Sequence, residues 1–200
     1  MTLAGRFVRL EPLTLEHVPA LTAVGLEPEL WRWIPTPVRN ADEMREYVET
    51  ALDEQRRGVS VPFAIVDRKS GNVIGSTRYG NIALEEGRIE IGWTWYTSKF
   101  QRTAANTEAK LLLLAHAFDV LKLNRVEFKT DALNEKSRRA LARIGAVEEG
   151  TFRKHRITSS GRVRDTVYFS IINTEWPGVE ARLRVMLEGT GINRRDVRLT

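Results

Sequence analysis

The segment from Ala109 to Leu121 is apolar at almost every position, and this feature constrains the fold of the chain most. Its apolar residues recur at helical spacing and leave almost no polar face for a helix to turn toward water. One side of the helix would carry Ala109, Leu112, Leu113, Ala117, Val120 and Leu121. Most of the remaining surface of the helix would be covered by Leu111, Leu114 and Phe118. Such a helix has to be buried on nearly all sides, here against a sheet.

Strand-like segments on both sides of this helix supply the sheet. Three of them, Pro62–Val66, Val73–Tyr79 and Arg88–Tyr96, are separated by turn residues and predict an antiparallel meander. In the third, strict alternation would place Ile89, Ile91, Trp93 and Trp95 on one face and Glu90, Gly92, Thr94 and Tyr96 on the other. The other predicted strands are Phe7–Leu10, Arg125–Thr130, Val147–Arg153 and Val163–Ile172.

The order of these elements predicts an α/β (mixed α+β) fold. We expect about seven strands in a mixed, mostly antiparallel sheet, with four or five flanking helices. A further helix is predicted to begin near Pro177, because proline is favoured in the first turn of a helix. A polar tail from Gly189 to Thr200 follows it and is expected to fray.

Composition excludes several classes of site. The chain has no cysteine among its 200 residues, which excludes disulfides and cysteine-based metal sites. His17, His116 and His155 lie far apart, so no metal is expected, and His116 is predicted to lie in the core. No apolar run is long enough for a membrane helix and the first residues do not resemble a signal peptide, so we expect a cytoplasmic protein without a membrane partner. The net charge of +5 indicates an anionic ligand or partner.

A strand, a short basic loop and the apolar helix meet between Trp95 and Lys110. The first turn of a helix leaves backbone N–H groups unpaired and carries partial positive charge. A phosphate would satisfy both, with Lys99 and Arg102 nearby. The alternative is an ordinary helix start, capped by Thr103 or Asn106.

This junction and the order of elements resemble the GNAT superfamily of acetyl-CoA-dependent N-acetyltransferases, in its Rim-type branch of ribosomal-protein N-acetyltransferases. The resemblance runs from Arg6 to Asn173 and implies one GNAT-like domain at residues 1–174, followed by a C-terminal helix and tail at 175–200. The segments that carry it are Arg9–Leu13, Ile74-Gly75, Glu90–Gly92, Gln101–Ala109, Asn134–Ser137 and Ile144–Ala146.

The resemblance implies a set of residues that bind acetyl-CoA, with no metal. The set is Trp95, Tyr96, Gln101, Arg102, Thr103, Ala104, Ala105, Asn106, Thr107, Asn134 and Ser137. It also implies a backbone N–H near Trp95-Tyr96 that would stabilise the oxyanion of acetyl transfer. The sequence departs from the family at Ala104 and Asn106, where the pyrophosphate loop usually has glycines, and at Leu141, where many members have a tyrosine acid.

Glu90 and Ser137 are the candidate catalytic residues. Glu90 would take a proton from the attacking amine, and burial among apolar residues could raise its pKa for this role. The alternative is a structural carboxylate paired with an arginine of a neighbouring strand. Ser137 would donate a proton to the sulfur; the alternative is helix capping, three residues after Asn134. Asn134 itself would contact the cofactor, act as a plain N-cap, or do both.

The acceptor side of the site is predicted from two regions. Trp31 and Trp33 would border the acceptor, or pin their loop onto the core. Arg153 belongs to a basic hairpin that would border it from the other side; the hairpin carries Arg153–Arg156, Arg162 and Arg164. This hairpin is either a solvated charged surface or a lip that recruits an acidic partner.

We therefore expect an N-acetyltransferase that moves an acetyl group from acetyl-CoA to a primary amine, on a protein N-terminus or a small molecule. The acceptor could be a ribosomal or other protein N-terminus. The alternative is a non-catalytic acyl-CoA-binding or regulatory protein of the same fold. Nucleic acid is not expected as a partner, since no recognised basic and aromatic motif is present. A homodimer is an expectation too, because the last helix and exposed strands could pair.

Overall fold

One mixed sheet organises the computed structural model, which describes residues 1–34 and 36–189. Its strands are β1 (Leu3–Ala4), β2 (Val8–Pro12), β3 (Ser60–Asp67), β4 (Val73–Ala83), β5 (Arg88–Tyr96), β6 (Arg125–Asp131), β7 (Val147–Ile157) and β8 (Val163–Ile172). The α-helices are α1 (Val18–Gly25), α2 (Pro28–Trp31), α3 (Ala41–Arg56), α4 (Ala104–Ala115), α5 (Glu135–Ile144) and α6 (Trp176–Glu188). The strands lie in the order β1-β2-β3-β4-β5-β6-β8-β7.

The predicted fold class is confirmed, with one strand more than expected. The additional strand is β1, whose two residues pair with Leu10 and Arg9 of β2 and are too few to produce a periodic pattern. Within the described residues, β5 and β6 form the one parallel pair and every other neighbouring pair is antiparallel. The C-terminal helix begins at Trp176, whereas the tail predicted after Gly189 lies outside the described residues.

Apolar side chains fill both faces of the sheet. Helices α4, α5 and α6 cover one face, and the core there includes Phe63, Tyr79 and Leu113. Helices α1 and α3 cover part of the other face, where Met44 and Trp95 belong to a second core. Because α1 and α3 contact β3 and β4, no helix of the described residues covers β6, β7 and β8 on the second face.

Helix α4 is the buried apolar helix that the sequence predicts, and it is deeply buried from Thr107 to Leu111. Its last predicted residues differ from the prediction, since Val120 and Leu121 are exposed. The chain changes from an α-helix to a π-helical turn at His116–Val120, closed by a hydrogen bond of 3.0 Å from Leu121 N to His116 O. A π turn holds more residues than an α turn, so the side chains beyond it are rotated away from the core.

Strand β5 does not alternate as predicted beyond Gly92. Ser76 pairs with Trp95 but Arg78 pairs with Gly92, so β5 contains one extra residue, a β-bulge, and Trp93 has a φ of 49°. The bulge reverses the alternation. Trp95 therefore lies in the core under α1 and α3, whereas Tyr96 lies in the α4-side core with Ile89 and Ile91.

None of the helices within residues 1–34 and 36–189 has the length and apolar character needed to cross a membrane. The same ranges contain no cluster of His, Asp and Glu side chains that could hold a metal ion.

Candidate active site

The sheet opens between β5 and β6. The two strands pair from Arg88↔Arg125 to Glu90↔Glu127, and the pairing ends there. Beyond this point β5 stays with β4 as far as Tyr96, while β6 stays with β8 as far as Asp131. A split between two backbone edges results in the middle of the sheet.

The backbone of Tyr96 points into this split. The next residue, Thr97, donates its N–H to Ile74 O of the β4 side at 2.9 Å, and Tyr96 is the register partner of Gly75. Successive residues of a strand direct their N–H groups to opposite edges, so the N–H of Tyr96 points away from β4. Its carbonyl, on the same edge, accepts a hydrogen bond of 3.1 Å from Gln101 Nε2. Of the two residues predicted to supply the amide, Tyr96 has the suitable orientation.

The first turn of α4 begins beside this edge. Thr103 is its N-cap and accepts a hydrogen bond of 3.2 Å from Ala105 N, so Thr103 rather than Asn106 has the capping role. Asn106 lies in the first turn and is half-buried, as is Ala104. Three cations surround this helix start: Lys99 and Arg102 are exposed in the loop, and Lys136 donates a hydrogen bond to Gln101 Oε1. Of the other candidates, Ala105 and Thr107 are buried, and Thr107 accepts a hydrogen bond of 3.2 Å from Arg143.

Asn134 and Ser137 lie at the start of α5, after the open end of β6. Asn134 Oδ1 accepts a hydrogen bond of 3.1 Å from Ser137 N, which makes Asn134 the N-cap of α5. This cap uses the backbone of Ser137, and the half-buried Ser137 hydroxyl makes no hydrogen bond to another described residue. The hydroxyl is therefore available for another role.

Glu90 is buried at the point where β5 and β6 separate, with 5% of its surface exposed. Its Oε2 atom accepts a hydrogen bond of 2.7 Å from Lys129 Nζ of β6 and another from Asn81 Nδ2 of β4. The ion pair with a neighbouring strand thus exists, although its cation is a lysine rather than an arginine. A carboxylate held by one ammonium and one amide still has free lone pairs with which to accept a proton or a water.

A second ionisable group, Lys110, reaches the split from α4. Lys110 is 7% exposed, its Nζ donates to Thr94 Oγ1 at 3.2 Å, and it lies 5.3 Å from the centre of the Phe128 ring. Burial lowers the pKa of Lys110 to about 7, although the negative charge of Glu90 acts in the opposite direction. Sequence reasoning missed this residue; the signal is a single cation inside an otherwise apolar helix.

The two tryptophans of the loop have different environments. Trp31 is buried and packs on Tyr47 and Trp95, with its indole N–H bonded to Gly25 O at 2.6 Å. Trp33 is half-buried, and its ring lies 5.8 Å from the guanidinium of Arg162, the residue before β8. The structure therefore brings Trp33 to the basic hairpin and encloses Trp31 in the core. Arg153 is exposed on β7.

A buried carboxylate, Asp131, was also missed by sequence reasoning. It ends β6, is almost fully buried, and pairs with Arg162, the residue before β8. The alternation of Glu127, Lys129 and Asp131 in β6 places three charged residues on one face, which is the signal that could have indicated a polar groove there.

These features are consistent with one known family. The sheet is split, and a backbone amide points into the split. A cationic helix start lies beside it, and a buried carboxylate lies at its base. The family model described as an acetyltransferase (GNAT) domain matches residues 8–147. The chain belongs to the GNAT acetyltransferase family.

Individual relatives agree with this membership. YdaF of Bacillus subtilis (strain 168), named a putative ribosomal N-acetyltransferase, is 30% identical, and the match covers 84% of this chain and 91% of YdaF. The crystal structure of a putative acetyltransferase from T. thermophilus is 41% identical, with a TM-score of 0.85, and the match covers 93% and 96% of the two chains. Mycobacterium smegmatis RimJ in complex with CoA-disulfide is 25% identical, with a TM-score of 0.81 and coverage of 93% and 94%.

GNAT acetyltransferases use acetyl-CoA, and the residues of this GNAT protein suit that molecule. The helix start has an anion-binding character, because its amides and the cations Lys99, Arg102 and Lys136 all favour negative charge. The split beside it leaves strand edges free to pair with an extended, amide-containing chain. Asn106 and Leu141, which depart from the family, occupy the first turn of α4 and a buried position of α5.

Proposed function

We propose that this GNAT protein transfers the acetyl group of acetyl-CoA to a primary amine by direct attack of the amine on the thioester. The observation that supports this most is the N–H of Tyr96, which points into the split next to the first turn of α4. An anionic end bound at the helix start would run its chain along β5 toward that N–H. The Tyr96 amide would then donate to the oxygen on which negative charge develops.

The remaining cofactor contacts follow from the same placement. The loop and helix start from Gln101 to Thr107 would bind the pyrophosphate, mainly through backbone amides and the charge of Arg102. On the opposite side of the split, Asn134 would contact the extended part of the molecule while it caps α5. Trp95 contributes through its position in β5, since its ring is buried in the second core.

Proton transfer involves the two catalytic candidates. The amine must lose a proton to attack, and Glu90 would accept it directly or through a water molecule. Lys129 and Asn81 hold the Glu90 carboxylate in place for this role. The Ser137 hydroxyl, which has no other hydrogen-bond partner among the described residues, would donate to the departing sulfur.

The acceptor would enter over the face of β6 and β8 that has no helix. Trp33 and Arg153 would border it, and Trp31 would support Trp33's loop from the core. YdaF is named a putative ribosomal N-acetyltransferase. We take a ribosomal protein N-terminus as one candidate acceptor, which would place the activity in the cytoplasm. The homodimer stays a prediction; the exposed edge strand β7 is the surface on which it would depend.

Replacing Glu90 with glutamine should lower the rate of acetyl transfer by at least about tenfold, because an amide cannot accept the proton of the amine. The affinity for acetyl-CoA should stay within about twofold, since the contacts of Glu90 are with β4 and β6. Steady-state CoA release and calorimetry measure the two quantities. Glu127→Gln is the matched control, because Glu127 is the register partner of Glu90 and also contacts Lys129. Equal rates for Glu90→Gln and the wild type across the pH range would remove Glu90 from the mechanism.

Replacing Asn106 with aspartate should weaken acetyl-CoA binding by about tenfold, because a negative charge in the first turn of α4 repels the phosphates. The same charge interacts favourably with the helix start, so the melting temperature of the free protein should not fall. Isothermal calorimetry and thermal melts of Asn106→Asp and the neutral control Asn106→Ser separate the two effects. An unchanged affinity in Asn106→Asp would place the pyrophosphate elsewhere.

The decisive test of the activity is CoA release from acetyl-CoA in the presence of a panel of primary amines, including peptides with free N-termini. Tight binding of acetyl-CoA without release for any amine would instead support the non-catalytic alternative, which the residues at Ala104, Asn106 and Leu141 keep open.

A further inference from the structure

Two arginines lie directly opposite each other on β7 and β8. Arg156 and Arg164 are register partners in this antiparallel pair, so their side chains project from the same face of the sheet. Like charges in that arrangement repel each other and destabilise the sheet. Burial lowers the pKa of Arg164, and the positive charge of Arg156 lowers it further, against the effect of Asp131. The pair is therefore neutralised only in part.

Asp131 supplies only part of the negative charge that the pair needs. Arg164 is 8% exposed, and among the described residues the one carboxylate oxygen within salt-bridge distance of it is Asp131 Oδ2, 3.8 Å from its Nε. Asp131 is already bonded to Arg162, and the buried Arg164 Nε makes no hydrogen bond. Arg156 is exposed and has no acidic partner among the described residues. Two guanidinium groups are thus left with unused hydrogen-bond donors.

These donors lie on the face proposed for the acceptor. Phe128, Val167 and Phe169 belong to the α4-side core, so the residues that alternate with them, Lys129 and Arg164, project from the opposite face. Glu90 is close enough for its charge to affect the pKa of both Arg164 and Lys110. In this region the cationic side chains are Lys129, Arg156, Arg162 and Arg164, and the carboxylates are Glu90, Glu127 and Asp131. The face therefore has an excess of positive charge beside the candidate base.

A carboxylate suits this arrangement, because a guanidinium binds a carboxylate through two parallel hydrogen bonds. The phosphates of acetyl-CoA are expected at the start of α4, which packs against the other face of the sheet. An anion that reaches Arg164 beside Glu90 therefore arrives with the amine.

We propose that the acceptor amine carries a carboxylate, and that Arg164, together with Arg156, binds this carboxylate while the amine lies at Glu90. The inference rests on the proposed function and names the substrate class of the same site. Amines of this class are free amino acids and peptides whose first residues are acidic.

Matched acceptors that differ only in the carboxylate test the proposal. They are amino acids and their carboxamides, peptides beginning with Asp or Glu and the same peptides with Asn or Gln, and a phosphorylated amine. For the wild type, kcat/KM measured by CoA release should be at least about tenfold higher for the carboxylate member of one pair than for its uncharged member. Most of this difference should lie in KM. A difference in the amino-acid pair would identify the acceptor as a free amino acid, and a difference in the peptide pair would identify it as an acidic peptide.

Variants then assign the effect to the arginines. In Arg164→Gln the ratio of kcat/KM between the carboxylate member and the uncharged member of the pair should fall to less than about twofold. Arg156 is exposed, so Arg156→Gln should fold even if Arg164→Gln does not. Arg156→Gln should reduce the preference for the carboxylate member in part. The charge-matched control is Arg45→Gln, on the exposed face of α3.

Equal kcat/KM for both members of every pair, or a preference that persists in Arg156→Gln and Arg164→Gln, would overturn the proposal and leave acetyl transfer intact. A preference for the phosphorylated amine over every carboxylate would overturn it as well. CoA release with none of the amines would overturn the proposed function itself, and this inference with it.

Discussion

Replacing Glu108 with alanine should lower the free energy of unfolding by about 3–5 kcal/mol. The Glu108 carboxylate on α4 accepts hydrogen bonds from three successive backbone N–H groups, Arg6 at 2.7 Å, Phe7 at 2.6 Å and Val8 at 2.7 Å. Alanine would leave these amides without this partner, at a cost of about 1–3 kcal/mol for each one that water cannot reach; Val8 is buried and Phe7 half-buried, whereas Arg6 is exposed. Urea unfolding followed by circular dichroism measures the change.

Two further variants make this experiment specific. Glu108→Gln keeps one acceptor oxygen but turns an NH₂ group toward the backbone donors. Its free energy of unfolding should therefore lie between those of the wild type and Glu108→Ala. Glu85→Ala removes a carboxylate from an exposed position between β4 and β5 and should change stability by less than about 0.5 kcal/mol. A loss of under about 1 kcal/mol in Glu108→Ala would mean that water replaces the carboxylate and that the β1–β2 corner does not depend on α4.

Replacing Lys110 with methionine should stabilise the protein by roughly 3 kcal/mol at pH 7, because it removes a desolvated ammonium and keeps the shape of the side chain. The pKa of Lys110 is about 7 in the folded protein and about 10.4 in the unfolded chain. Between these values the unfolded state binds one proton more than the folded state, so wild-type stability should rise with pH by about 1 kcal/mol per unit. The variant should lose this slope.

Urea unfolding of the wild type and Lys110→Met at pH 6, 7, 8, 9 and 10 measures the difference in slope. Other titrating groups contribute equally to both proteins and cancel in the comparison. Lys69→Met, in the exposed turn between β3 and β4, is the control for removing a lysine charge and should not change the slope. A constant free-energy difference between the two proteins at all pH values would mean that water reaches the ammonium and that its pKa is ordinary.

Local patterns were enough to predict the elements that carry the site. The apolar helix, the meander before it and a helix start capped by Thr103 or Asn106 follow from periodicity and capping, which depend on residues a few positions apart. Resemblance to the GNAT family added a cofactor and an oxyanion-binding N–H near Trp95-Tyr96. The position of Asn134 as an N-cap was also predictable, since its hydrogen bond reaches only to Ser137.

Local patterns failed where a distant neighbour decides the geometry. Strict alternation predicted the wrong faces for Trp93 and Trp95, because the bulge in β5 arises from its register with β4. No pattern within β5 shows which amide points into the split. The hydrogen bond from Thr97 N to Ile74 O shows it. The two-residue β1 exists only because β2 is beside it.

The sequence by itself determined which segments fold into helices and strands, which of them must be buried, and which family the chain resembles, because those properties depend on side chains within one turn or one strand. Only the tertiary structure decided which charges meet. These charges come from separate elements of the fold. The pairs are Glu90 with Lys129, Asp131 with Arg162, Glu108 with three amides a hundred residues away, and Arg156 opposite Arg164. Electrostatic energies depend on distance and burial, and both are properties of the folded chain.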